Sequence, residues 1–165
     1  MALTRALADP TLGATSGGWF IYDDTKSTVI EKTSKSATAL AAEGFELDHV
    51  FERQFLSGLI VHVVGDQDPP LSIINDLLLI ANLPENLVWI RKDLHGLKSN
   101  VFGRPMAEFD ARLCTYLTQC QLMFGPALDR FSTSREDVKL LIRAMKETPW
   151  YLGHWDGFKG ESWFG

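Results

Sequence analysis

Three short stretches hold residues whose types and spacing could do chemistry. They are Leu47-Asp48-His49-Val50-Phe51-Glu52, Glu85-Asn86-Leu87-Val88-Trp89-Ile90 and Lys92-Asp93-Leu94-His95-Gly96-Leu97-Lys98-Ser99-Asn100. The first sets a carboxylate beside an imidazole. The second puts an asparagine at the entry to an apolar run. The third carries a histidine with a lysine three residues later, and His95 follows Asn86 by nine positions. A carboxylate is a hard oxygen ligand suited to Mg²⁺ or Mn²⁺, and an imidazole also admits Ni²⁺ or Zn²⁺. A neutral imidazole, with an ordinary pKa of about 6.5, can also take a proton near neutral pH. Taken singly each piece says little: an Asp-His pair is common, and an Asn before a strand often only forms a turn. Their order and spacing carry the signal.

The surrounding pattern supplies elements to position them. Trp19-Phe20-Ile21-Tyr22 reads as a strand, Asp23 to Lys26 as a turn and Thr28-Val29-Ile30 as a second strand, making a hairpin over 19–33. Ser34 to Glu43 reads as a short helix ended by Gly44, and Phe45-Glu46-Leu47 as a strand leading into Asp48-His49. From Val50 the four-residue spacing of Phe51, Phe55 and Leu59 predicts an amphipathic helix to about Val64, with a loop over 65–70. Ser72 to Ala81 is a largely apolar helix, Leu87 to Ile90 a strand, and Lys92 onward a helix with Asp93 as its N-cap. A long helix is expected from about Pro105 to Phe124, with Met106, Phe109, Leu113, Leu117 and Cys120 facing inward. A last helix opens on the capping box Ser134-Arg135-Glu136-Asp137 and ends at Pro149, with Val138, Leu141, Ile142 and Met145 as its apolar stripe. These place the acid-histidine pair at a strand end, the asparagine at a strand start and the second histidine at a helix start.

That layout resembles the HNH (ββα-metal, His-Me finger) endonuclease family, whose signature runs Asp-His, Asn-Leu, then His nine positions on, often followed by Lys. Asp48-His49, Asn86-Leu87, His95 and Lys98 fill those places, and His95 to Asn100 is similar to the corresponding segment of RNA-guided nucleases. The resemblance covers roughly residues 45–100. Two features depart from the pattern. The His49–Asn86 gap is longer than usual, with room for about two helices, and Ser99 stands where many relatives carry a further His or Asn. The resemblance implies a ββα-metal core at about 45–100; with the elements read above, the expectation is an α+β single domain over 1–165, with a short hairpin beside that core and about four surrounding helices, the C-terminal ones at about 105–148. It implies a metal-dependent endonuclease that hydrolyses phosphodiester bonds of nucleic acid, DNA being favoured over RNA. Asp48 and His95 would hold one divalent ion, Mg²⁺ or Mn²⁺ first, with Ni²⁺ or Zn²⁺ admitted. His49 would be the general base, Asn86 would pin the loop that carries it, and Lys98 and Arg91 would contact phosphate. Family members of this size resemble toxin modules, so an immunity protein or the remainder of a larger toxin chain is a candidate partner. The alternative is a catalytically inactive protein-interaction module on the same fold. A different metal phosphoesterase is a weaker rival.

Length and composition fit this reading with one tension. The chain has 165 residues, 45% hydrophobic and 22% charged, the balance of one folded domain. It has no 18-residue apolar run and no secretory leader, so the expectation is a chain without a membrane span, cytoplasmic or delivered as part of a larger protein. The net charge is −5, which runs against phosphate binding, although Arg91, Lys92, Lys98 and Arg104 fall within fourteen residues. Cys114 and Cys120 lie six apart on one expected helix and read as small core residues. Glu52 is either a salt-bridge partner or a group orienting His49. His62 and His154 read as packing residues, as do Trp150, Trp155, Trp163 and Phe164 in preference to stacking on bases. Asp66 and Asp68 cannot form a calcium loop, because Pro69-Pro70 breaks the spacing.

Overall fold

The structure, a computed structural model, describes residues 18–52, 70–103, 110–130 and 136–147. They form an α+β fold with a four-stranded mixed sheet and five α-helices. The strands are β1 (Trp19–Tyr22), β2 (Glu31–Thr33), β3 (Phe45–His49) and β4 (Leu87–Arg91), in sheet order β2-β1-β4-β3. The helices are α1 (Ala37–Ala42), α2 (Leu71–Ala81), α3 (Lys92–Gly103), α4 (Ala111–Arg130) and α5 (Glu136–Glu147). No helix among the described residues is long and apolar enough to cross a membrane.

The sheet is a middle layer. On β4, Val88 and Ile90 point into the larger core with Tyr22, Ile73, Leu94, Leu117 and Met145, while Trp89 points the other way with Phe45 and Leu40. The near-continuous apolar run Leu87-Val88-Trp89-Ile90 is what a strand covered on both faces requires. Thus α1 closes one face of the sheet and α2 to α5 lie over the other.

The hairpin forms, with β1 and β2 antiparallel and Trp19 opposite Thr33. Its second strand begins at Glu31, three residues later than the apolar Thr28-Val29-Ile30 suggests. The turn is longer because the Asp23 carbonyl accepts from both Lys26 N and Ser27 N, and the Asp23 carboxylate accepts from Thr25. Nor is the hairpin a separate appendage: β1 pairs in parallel with β4, Phe20 against Val88 and Tyr22 against Ile90. Gly18, at φ +84°, is required where it lies, since a Cβ there would meet the Thr33 carbonyl oxygen at 2.5 Å.

Helix α1 begins at Ala37 rather than Ser34, with the Ser36 hydroxyl accepting from Ala39 N as its N-cap, and other helix boundaries differ in three places. The helix expected from Val50 does not start there, because Val50 and Phe51 form a bend whose backbone is bonded to Asn86. Its remainder, with the loop at 65–69 and His62, lies outside the described residues. Asp93 is in the first turn of α3 rather than ahead of it, since β4 runs straight into the helix and Lys92 N donates to the Gly44 carbonyl. Helix α4 passes Phe124 and continues to Arg130 through Pro126. Pro126 and Leu122, whose carbonyl the proline leaves without an N–H partner, share the exposed side of α4. The start expected at Pro105 and the tail with His154 and its aromatic residues lie outside the described residues. On α5, Val138, Leu141 and Met145 are buried as the stripe predicts.

Candidate functional site

Strand alternation decides which side chains meet. On β3, Phe45 and Leu47 pack towards α1, so Glu46 and Asp48 face α3, each opposite an inward residue of β4 (Ile90 and Val88). After His49 the chain turns, and Asn86 holds that turn. The Asn86 carbonyl accepts from Val50 N at 2.9 Å, and its side-chain oxygen accepts from Phe51 N at 2.7 Å. Its Nδ2 donates to Ala81 O at 2.9 Å and to Phe51 O at 3.4 Å. Asn86 is fully buried at the end of a 3₁₀ turn, Pro84–Asn86, that leads into β4. It ties together the end of α2, the start of β4 and the bend after β3.

Helix α3 presents His95 and Lys98, one turn apart, to that face of β3. The Lys98 ammonium donates to both Asp48 oxygens at 2.7 and 2.8 Å, to Glu52 Oε1 at 3.0 Å and to the His49 carbonyl. From α4, the Tyr116 hydroxyl donates to Asp48 Oδ2 at 2.5 Å, with its ring 5.2 Å from that of Tyr22. Asp48, Lys98 and Tyr116 are fully buried. His95 Nδ1 lies 2.7 Å from Glu46 Oε2, and His95 Nε2 lies 3.6 Å from Asp48 Oδ1.

The electrostatics follow from one buried and one partly buried carboxylate, Asp48 and Glu52, facing one buried ammonium. Burial alone would lower the Lys98 pKa, but the charges of Asp48 and Glu52 outweigh it and hold the pKa above the ordinary lysine value. Burial works to raise Glu52 too, yet Lys98, with help from His49 and His95, keeps it below the usual carboxylate range. Asp48 goes the other way. Its complete burial raises it against the opposing pull of Lys98 and Tyr116, and Glu52 adds to the rise. Lys98 thus pulls against burial at both carboxylates, and prevails at Glu52 but not at the more deeply buried Asp48.

The donor set suits a divalent ion. Asp48, Glu52 and His95 bring ligand atoms within 4.8 Å of one another. Glu46 can only accept, so Nδ1 of a neutral His95 carries the ring proton and Nε2 keeps a bare lone pair. Nε2 and Asp48 Oδ1 are then two acceptors converging at 3.6 Å. That is the spacing of two donors each about 2.1 Å from a single ion. A carboxylate on the far nitrogen is also the usual way a protein orients a metal-binding histidine.

Of the residues singled out from sequence, Asp48, His95 and Lys98 meet in one cluster, with His49 and Asn86 at its edge. His49 ends β3 and is half-buried. Lys98 is enclosed on its carboxylates and offers no face to solvent, unlike a residue placed to meet phosphate. Arg91 points away, making paired hydrogen bonds to Asp23 at 3.0 and 3.1 Å over the Phe45 ring. Glu52 resolves as a salt-bridge partner of Lys98. Sequence reasoning missed Glu46 and Tyr116. Glu46 could have been found by period, since it lies two residues before Asp48 on the same strand face. Tyr116 fits the inner stripe of α4 between Leu113 and Cys120, where a hydroxyl needs a buried partner. No protein-family model, curated protein or solved structure matches the chain.

Proposed function

We propose that this chain is a metal-dependent nuclease of the HNH type, hydrolysing phosphodiester bonds in nucleic acid, with DNA the favoured substrate. One observation carries the reading. His95 Nε2 and Asp48 Oδ1 converge at 3.6 Å, with the far side of the imidazole fixed by Glu46, where an antiparallel strand pair meets the helix that follows it directly. A bound divalent ion would supply charge compensation at the scissile phosphate and the leaving oxygen. Asp48 and His95 would hold it, Asp48 kept in place by Tyr116. His49 would accept the proton of the attacking water, and Asn86 fixes the backbone turn directly after it. Glu46 would act through His95, as the carboxylate that orients the imidazole.

The acidic balance, −5 overall, favours a second reading in which the same fold serves as a protein-interaction module. One assay separates the two. Supercoiled plasmid is incubated with the protein and Mg²⁺, Mn²⁺, Ni²⁺ or EDTA, beside His49→Ala, with an RNA of matched length in parallel. Metal-dependent nicking that His49→Ala loses by roughly a hundredfold or more is the expected result. A folded wild-type protein that cuts neither polymer would leave the interaction module as the reading.

A further inference from the structure

The four oxygen atoms around Lys98 are an unusual environment for a lysine. Two belong to Asp48, one to Glu52 and one to the His49 backbone, and all lie within 3.0 Å of a single nitrogen. An ammonium has three N–H donors, so one acceptor is always shared or left over. Carboxylates combined with a backbone carbonyl are also the hard-oxygen set that a divalent cation takes. Two of the three residues able to ligate an ion here, Asp48 and Glu52, are the two carboxylates the ammonium already holds.

We infer that Lys98 is the resident cation of this site: its ammonium occupies Asp48 and Glu52 until a divalent ion displaces it. The inference rests on the metal reading above and adds how the site is loaded. Charge decides between exchange and coexistence. An ammonium and a divalent ion on the same carboxylates would set three positive charges against two negative ones. At a separation of about 4 Å, with an effective dielectric constant of about 20, their repulsion is many times thermal energy. Lysine suits the exchange because its charge sits on a flexible four-carbon stem, so the ammonium can leave while the α3 backbone and His95 stay in place. Its absence from the surface before loading and its phosphate contact afterwards then become two stages of one residue.

The test uses the full chain stripped with EDTA. Mn²⁺ binding is measured by calorimetry for wild type, Lys98→Met and Asp48→Ala. In wild type alone, reductive methylation of Lys98 is followed by mass spectrometry with and without Mn²⁺. Exchange predicts that Lys98→Met binds Mn²⁺ at least tenfold tighter than wild type, roughly the least that removing a competing charge should yield. It also predicts that Lys98 resists methylation in the stripped protein and becomes reactive once Mn²⁺ is added. Weaker Mn²⁺ binding by Lys98→Met, or Lys98 equally protected with Mn²⁺ bound, would overturn the exchange and leave the metal site standing. If neither wild type nor Lys98→Met binds Mn²⁺, or Asp48→Ala binds as wild type does, the metal reading fails and the exchange falls with it. Should Lys98→Met not fold, the wild-type labelling decides alone.

Discussion

At the residue scale, the consequence of burial is that a small change leaves a charged or polar group with no water to turn to. Tyr116→Phe removes only a hydroxyl, but that hydroxyl is one of the Asp48 hydrogen-bond partners inside the core. A loss of about 1.5–3 kcal/mol is expected, read from urea unfolding, because the acceptor is a fully buried carboxylate already engaged with the Lys98 ammonium. Asn86→Ala should cost more, about 2–4 kcal/mol, since it strands the Phe51 N–H and the Ala81 carbonyl at once. Asn86→Asp keeps the acceptor for Phe51 N and loses the donor to Ala81 O. If the turn after β3 carries the base, the aspartate variant should retain more cleavage than the alanine variant. The spacing of Asp48, His49, Asn86 and His95 singled them out in the sequence, and the fold brings Asp48 and His95 together with His49 and Asn86 at the edge. Glu46 was not legible in the sequence, because one acidic residue in a short strand looks like any solvated charge until the facing helix is in view.

Among the ion pairs that couple elements here, one that spacing does not announce is Arg91 with Asp23, sixty-eight residues apart. It joins the end of β4 to the turn after β1 and so locks the parallel pair that makes the hairpin part of the sheet. Burial would raise the Asp23 pKa. Hydrogen bonds from Arg91, Thr25 and Lys26 overcome it and hold it well below the usual carboxylate range. The sign follows: a carboxylate depressed in the folded state stabilises fully above its unfolded pKa, near 3.8, and that contribution is lost as pH falls through the folded value. Asp23→Asn should therefore cost about 1–2 kcal/mol at pH 7, and the gap to wild type should narrow steadily below about pH 4. Urea midpoints of the two proteins across pH 2.5–7 would show it, and a gap independent of pH would mean that packing rather than charge holds the turn. Periodicity made β3, α2 and α5 readable because each keeps one apolar repeat, and β4 was readable as a short apolar run covered on both faces. Periodicity misplaced β2, since Thr28 and Val29 lie in a bend where the Ser27 hydroxyl accepts from Val29 N, just past the turn in which the Asp23 carboxylate accepts from Thr25. It stopped α4 short, since a Pro on the exposed side does not end a helix already packed along its other side.

For the whole molecule the governing quantity is charge. Twenty-one acidic residues face sixteen basic ones, and the cations placed in the described residues are largely engaged. Lys98 is inside, Arg91 is bonded to Asp23, and Arg112 reaches Asp24, Asp93 and Asp110. A nuclease built this way would grip a polyanion through the ion in its site and very few side chains, rather than through a basic surface. Each phosphate neutralised releases condensed counterions, and the slope of log affinity against log salt is about −0.9 per contact on duplex DNA. With about one to three contacts, His49→Ala in Mg²⁺ should bind a short duplex with a slope between about −1 and −3, measured by fluorescence anisotropy across 25–200 mM salt. Affinity at low salt should also depend on the ion, falling sharply in EDTA, because removing it takes away the strongest positive charge the site can offer. A slope steeper than about −6, unaffected by EDTA, would mean that DNA is held by a basic surface formed outside the described residues, with the Asp48–His95 cluster playing no part in the grip.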